Sequence, residues 1–223
     1  MFNPLGAFDI AQDPDPGALA AASILVAQLP DVPGGSLERI YDHWTVGHYN
    51  QNFDHYNVSV RFDGSHFHLD VTHDLQDNAR GVNDNAPAAH TYRRNTGAVG
   101  ITVDGMLGAS VHNFGPEPIT TLMMEYLCAA NAAVAHKYGI DLAGMSGTAP
   151  YTGEPTLLTH AEAADRIGHP AQYDPYGPGS TAERWDLCSL ISLPSGVSLS
   201  AAMATMTGDA IRERSRKYKI ALT

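Results

Sequence analysis

The sequence lacks the features that mark several large classes of protein. Its 223 residues include only two cysteines, Cys128 and Cys188, which make no disulfide framework and show no zinc-binding spacing such as CxxC. Basic residues are scarce, and the formal charge of -11 argues against binding nucleic acid through a broadly basic surface. No apolar run is long enough to cross a bilayer, so we expect no stable membrane insertion. A GxSxG motif is also absent, and neither cysteine has a neighbour that would activate it.

The N-terminal segment carries no basic residue before Arg39, so its apolar stretch "PGALAAASILVAQLP" lacks the charged start of a signal peptide. We interpret that stretch as a short Ala-rich helix. Five of the 13 basic residues lie instead near the C-terminus, in a segment that we predict to be helical. We therefore divide the chain into an N-terminal arm with a short helix (1–35), a central domain (36–190) and a C-terminal helical extension (191–223).

The central domain combines strand and helix patterns. A hydrophobic content of 43% and a charged content of 17% are typical of a soluble globular protein. Alternation in "HYNVSVRFDG" predicts a half-buried strand, and "SHFHLDV" is the returning strand of a hairpin. "RIYDHWT", "AVGITV" and "TLLTH" are further strand candidates, whereas "ITTLMMEYLCAANAAVAHKYGI" has helical spacing and ends at Gly139. These patterns predict an α/β fold with a central mixed sheet flanked by helices.

Two long polar segments interrupt these elements. Residues 73–97 are rich in Asn and Asp, and residues 168–182 are rich in Pro, Gly and Tyr. Loops of this length in a compact domain are more often functional than accidental. We expect them to form the walls of a substrate groove.

The eleven histidines are the main chemical signal. His43 and His160 each fall near the end of a predicted strand, and Asp186 follows the second long loop. Two imidazoles and one carboxylate leave a fourth tetrahedral position open, as in catalytic zinc sites. Trp44 and Trp185 adjoin two of these ligands, and we expect their rings to wall a cleft.

A rival interpretation places a metal on the predicted hairpin. His66 and His68 lie two residues apart and so point to one face of a strand, with His73 nearby. Together they are typical of a His-rich site in a double-stranded barrel. The long helix and the small number of short strands argue against a barrel.

Taken in order, the segments "IYDHWT", "HYNVSVRFDG", "AHTYRRNTGAVGITVDG", "ITTLMMEYLCAANAAVAHKYGI", "TLLTH" and "RWD" resemble the zinc-dependent N-acetylmuramoyl-L-alanine amidases of the type 2 family. That family includes phage lytic amidases and the peptidoglycan recognition proteins. The resemblance covers roughly residues 36–188, and it is carried by the ordered set of motifs rather than by any single one.

The resemblance implies a role for individual residues. It assigns Zn2+ to His43, His160 and Asp186, carbonyl polarisation or water ordering to Tyr56, and oxyanion stabilisation to Arg184. It places His90 and Asn95 along the substrate groove, and we add Trp44 and Trp185 to the substrate-binding residues because they adjoin two of the ligands. Three departures from the family pattern are present: Asp42 precedes His43, Arg184 stands where many relatives have Lys, and the loop before Asp186 is long. Because of that loop, His169 or Asp174 is an alternative third ligand.

The resemblance further implies a hydrolase that cuts the amide bond between N-acetylmuramic acid and L-alanine in peptidoglycan. Without a recognisable signal peptide, we expect a phage or prophage endolysin that stays cytoplasmic until released, or a virion-associated enzyme that acts on the cell wall. The alternative is a non-catalytic peptidoglycan-binding or virion structural module of the same fold, and Asp186 is the residue that distinguishes the two.

Overall fold

The computed structural model describes residues 2–82, 85–91, 94–165 and 185–223. Five strands form one sheet: β1 (Arg39–Trp44), β2 (Val58–Phe62), β3 (Phe67–Val71), β4 (Ala98–Val103) and β5 (Leu157–Thr159). The helices are α1 (Pro16–Gln28), α2 (Leu75–Asn78), α3 (Thr121–Tyr138), α4 (His160–Asp165) and α5 (Ala201–Ala221). The fold is therefore α/β, with helices flanking a mixed sheet.

The sheet has the strand order β3-β2-β4-β1-β5. Strands β2, β4, β1 and β5 run parallel, and β3 pairs antiparallel with β2 through the predicted hairpin. Both β1 and β4 are buried along their whole length, as their central positions require. The carboxyl ends of β1, β4 and β5 consequently lie together at one edge of the sheet, where ligand sites of parallel sheets form.

Helix α3 covers one face of the sheet. The Thr120 side chain caps its N-terminus by accepting from the backbone N–H of Met123, and Gly139 ends it in the left-handed conformation. Twelve of its residues are buried, most of them small, so the helix is enclosed on nearly all sides by the sheet, α1 and α5. Leu122, in the first turn of α3, is 41% exposed although it falls at the same helical spacing as the buried Leu127.

The two ends of the chain are joined on the α3 side. Arg214 of α5 binds the buried carboxylate of Glu125 on α3 and donates to the backbone carbonyls of Gln12 and Asp13 in the N-terminal arm. The hydroxyl of Tyr218 donates to the same carboxylate and accepts from Asp15 N–H. Among the described residues, no helix combines the length and apolar character needed to span a bilayer.

Several local expectations need correction. The alternation in β2 predicts one solvated face, but Ser59 is fully buried and its hydroxyl donates to Asp104 Oδ1. Tyr56 lies in a bend before the strand. The segment 73–97 contains one turn of helix, α2, capped by the Asp74 carboxylate. Both cysteines are free and fully buried.

Candidate metal centre

Parallel pairing between β1 and β5 brings His43 and His160 together. Asp42 of β1 is the register partner of Thr159 of β5. The residues that follow them, His43 and His160, therefore also lie side by side. Alternation along β1 directs Asp42 toward α3, where it accepts from Asn131, and directs His43 to the opposite face. The two Nδ1 atoms lie 3.0 Å apart.

Asp186 reaches these histidines from a turn between α4 and α5. Its backbone carbonyl accepts from Ala161 N–H, one of the N–H groups that the first turn of α4 cannot satisfy internally. The next residue, Leu187, is buried with a φ of 59°, a strained conformation for a branched side chain. Such strain is held only where the surroundings enforce it, and it occurs most often at functional sites.

The three side chains converge on one point. The Oδ2 atom of Asp186 lies 3.2 Å from His160 Nδ1 and 3.4 Å from His43 Nδ1. Ligand atoms bound about 2.0–2.1 Å from a tetrahedral zinc ion lie roughly 3.3 Å from one another. The donor set and its spacing therefore fit a divalent metal ion with three protein ligands. The same set of two histidines and one carboxylate also matches non-haem iron sites, so the geometry leaves the metal's identity open.

The charge of Asp186 suits this role. Burial by itself raises the pKa of this carboxyl, but the charges and hydrogen bonds of His160 and His43 outweigh burial and hold the pKa well below its ordinary value. Asp186 is therefore an anion between two imidazoles. A carboxylate must be ionised to bind a metal, so this ligand requires no deprotonation before binding.

A capping box fixes the start of α4, and with it His160. The Thr159 hydroxyl accepts from Glu162 N–H, and the Glu162 carboxylate accepts from Thr159 N–H. Arg212 of α5 binds both oxygens of the same carboxylate at 2.9 Å and donates to the carbonyl of Leu157. His160 thus lies between two residues whose positions are fixed by α5.

Tyr56 lies beside the cluster. Its ring is half-buried, with its centroid 5.1 Å from that of His43. This position is compatible with the contact to a substrate that the resemblance implies.

The two tryptophans are placed differently from the prediction. Trp44 is 1% exposed, because alternation along β1 turns it to the face opposite His43. The centroid of its ring lies 4.6 Å from that of the partly buried Trp185, and both rings pack against the ring of Phe114. Among the described residues Trp44 is thus part of the core, and the pair connects the residue after His43 to the residue before Asp186.

His90 is buried beside the cluster, and Asn95 is half-buried in the same loop. His90 is 4% exposed, with its ring centroid 5.5 Å from that of His43. Burial, followed by the proximity of His43 and His160, lowers the pKa of His90 well below its ordinary value. Asn95 accepts from the backbone N–H of Thr91 and so orders the loop that carries His90.

Several predicted positions fall outside the described residues. These are Arg184, the alternative ligands His169 and Asp174, and the predicted groove segment 168–182. Within the described part of the chain, His43, His160 and Asp186 are the one group of at least three potential ligands that converges. The hairpin histidines do not converge with one another: His68 pairs with Asp63 and His73 with Asp77, and the described strands form an open sheet rather than a barrel.

The sequence analysis did not identify four residues that support the site, namely Thr91, Thr159, Glu162 and Arg212. The capping box at Thr159 and Glu162 could have been found from the spacing T-x-x-E after a strand. Thr91 and Arg212 have no comparable local signal, because Thr91 contacts His43, 48 residues away, and Arg212 contacts Glu162, 50 residues away in sequence.

Comparison with known proteins finds no matching family model, no similar curated protein and no similar solved structure.

Proposed function

We propose that this protein is a zinc-dependent hydrolase that cleaves the amide bond between N-acetylmuramic acid and L-alanine in peptidoglycan. The observation that carries the proposal is the buried convergence of His43, His160 and Asp186, with mutual donor distances of 3.0–3.4 Å. The choice of peptidoglycan, and of an amidase-like fold within the α/β class, rests on the ordered motifs shared with the type 2 amidases.

Zinc is proposed rather than iron on the strength of that resemblance alone. When bound, zinc supplies a Lewis acid and lowers the pKa of a coordinated water to about 7. Catalytic zinc sites use three protein ligands and leave the fourth position to water or substrate, which matches the number of ligands present here.

The protein's own residues supply the remaining requirements for amide hydrolysis. Asp186 and the two imidazoles hold the site in a buried environment, where charge interactions are stronger than in water. Tyr56, whose ring centroid lies 5.1 Å from that of His43, is the candidate to donate a hydrogen bond to a substrate oxygen. Arg184, two residues before Asp186, is the candidate for a cation that stabilises negative charge developing on that oxygen.

The proposed setting is a phage or prophage endolysin or a virion-associated enzyme, with peptidoglycan as its partner. The alternative from another class is a peptidoglycan-binding module of the same fold without turnover. Such a module would bind peptidoglycan but would produce no free L-alanine amino groups and no free lactyl carboxyl groups.

Digestion of purified sacculi tests the reaction. We expect mass spectrometry of the products to show stem peptides with a free L-alanine amino group, together with muramic acid whose lactyl carboxyl is free. Asp186→Ala is expected to remove both the products and the bound metal, whereas His55→Ala, at an exposed histidine, should retain them.

Metal analysis of the same samples separates the alternatives. Stoichiometric zinc with wall binding but no new ends would support the non-catalytic module. Bound iron, or zinc content and wall cleavage that are unchanged by Asp186→Ala, would overturn the assignment.

A further inference from the structure

A hydroxyl group lies between the candidate metal centre and a second buried histidine. Thr91 is 3% exposed, and its Oγ1 atom is 3.2 Å from His43 Nε2 and 2.9 Å from His90 Nδ1. Thr91 belongs to the loop between α2 and β4, 48 residues from His43. The hydroxyl therefore contacts the side of the His43 ring that faces away from His160 and Asp186.

The proton positions along this chain follow from the donors and acceptors available. A histidine binds a metal through an unprotonated nitrogen, and the His43 nitrogen that faces the other two ligands is Nδ1. The neutral ring then carries its proton on Nε2, which donates to Thr91 Oγ1. The single hydroxyl proton of Thr91 is left to donate to His90 Nδ1.

We infer that Thr91 is a positioning residue of the metal centre, whose hydroxyl accepts from His43 Nε2–H and thereby presents Nδ1 of His43 to the ion. Metal-bound histidines generally donate their second N–H to an oxygen acceptor, which orients the ring and sets its tautomer. The inference rests on metal binding in the proposed function and is independent of the substrate.

The surroundings hold Thr91 in place for this role. Its backbone N–H donates to Asn95 Oδ1 at 2.9 Å, and the backbone carbonyl of Asn95 accepts from the buried amide of Asn78. Asn78 also binds the backbone N–H and carbonyl of Ala88. The end of α2 therefore holds this loop at two points, Ala88 and Asn95.

A glycine in β4 provides the space for the far end of the chain. A Cβ atom on Gly100 would lie 2.4 Å from His90 Cγ, a distance that no side chain can adopt. The His90 ring therefore packs directly on the backbone of the central strand, and its Nδ1 atom meets the Thr91 hydroxyl.

Thr91→Val and Thr91→Ser separate the hydroxyl from the shape of the residue. Valine matches the size of threonine but accepts no hydrogen bond, whereas serine keeps the hydroxyl. We expect Thr91→Val to raise the dissociation constant for zinc about 10- to 100-fold, measured by competition with a chromophoric chelator. Thr91→Ser should bind zinc as the wild-type protein does. Thr96→Val is the matched control, because Thr96 is exposed in the same loop.

A spectroscopic measurement provides a readout independent of affinity and activity. In zinc-loaded protein with 15N-labelled histidine, we expect long-range 1H–15N spectra to show a His43 ring protonated at Nε2. The resonance of that Nε2 proton should move upfield in Thr91→Val, because the proton loses its acceptor. In Thr91→Ser it should have the wild-type chemical shift.

The outcomes distinguish this inference from the proposed function. A wild-type protein that binds no metal would defeat both. Metal bound by the wild type with equal affinity in Thr91→Val, or a His43 ring protonated at Nδ1, would overturn the role of Thr91 alone. Should Thr91→Val fail to fold by circular dichroism, the proton position in the wild-type protein decides the question.

Discussion

Two regions of this molecule are rich in histidine, and only one has the geometry of a metal centre. In the β2–β3 hairpin, His66 and His68 lie two residues apart, yet His66 is exposed and His68 pairs with Asp63 at the surface. At the ends of β1 and β5, His43 and His160 are 117 residues apart in sequence and 3.0 Å apart in space. Proximity along the chain is therefore a poor guide to metal binding, whereas convergence of buried donors is a good one.

Removing ligands from each region is the most direct way to break this comparison. We expect His43→Ala or His160→Ala to abolish stoichiometric metal binding, because either change leaves two donors where three are needed. The double variant His66→Ala/His68→Ala should bind metal like the wild type. Inductively coupled plasma mass spectrometry of the purified proteins measures both, and loss of metal from the hairpin variant would restore the rival site.

Support from α5 is the next difference between the two regions. Arg212 and Glu162 form a nearly buried ion pair behind His160, with side chains 12% and 1% exposed. Removing one partner of a buried pair costs about 3–5 kcal/mol, so we expect Arg212→Met to lower the free energy of unfolding by about 3 kcal/mol. Urea denaturation measures this change, and zinc affinity should fall as well.

Arg216→Met is the matched control for that variant. Arg216 pairs with Glu213 on the exposed side of the same helix, and both side chains are close to half exposed. Exposed pairs contribute about 0–1 kcal/mol, so the control should remain near wild-type stability. Equal losses in the two variants would show that the pair behind His160 has no special role.

Two buried carboxyls sharpen the comparison further. Asp186 is kept ionised by two histidines, whereas the carboxyl of Asp104, at the end of β4, accepts from the hydroxyl of Ser59. Burial raises the pKa of Asp104 to about 7, and its Oδ2 atom has no hydrogen-bond partner among the described residues. Hydrogen bonds from Ser59 and Gln51 and the charge of Arg61 lower the pKa of Asp104, but burial outweighs them, whereas His160 and His43 outweigh burial at Asp186.

This difference predicts a pH effect on stability. Because the pKa of Asp104 is higher in the folded protein than in the unfolded chain, its contribution favours folding at low pH and is lost as pH rises from about 4 to about 7. The measurement is made with a metal chelator present, and the free energy of unfolding of the wild type is subtracted from that of Asp104→Asn. We expect this difference to increase by about 2 kcal/mol between pH 5 and pH 8. Asp54→Asn, at an exposed carboxyl, should show no such trend. A flat difference for Asp104→Asn would contradict the shift.

Local patterns were sufficient for most of the secondary structure. The run "AVGITV" coincides with β4, and the long helical pattern coincides with α3 up to Gly139. Residues in these segments interact mainly with near neighbours or with a uniformly apolar interior, so periodicity carries the necessary information. The resemblance supplied the three ligands, which spacing alone did not distinguish from the other histidines.

Tertiary structure alone decided which side of each strand faces the site and which distant groups meet there. Trp44 adjoins His43 in sequence but lies in the core, because successive side chains of a strand point to opposite faces. Thr91, Arg212 and Asp186 reach His43 and His160 only through the pairing of β1 with β5, the packing of α5 and the ordering of loops. The sequence thus determined the elements and the candidate donors, whereas strand register and packing across long separations determined their convergence.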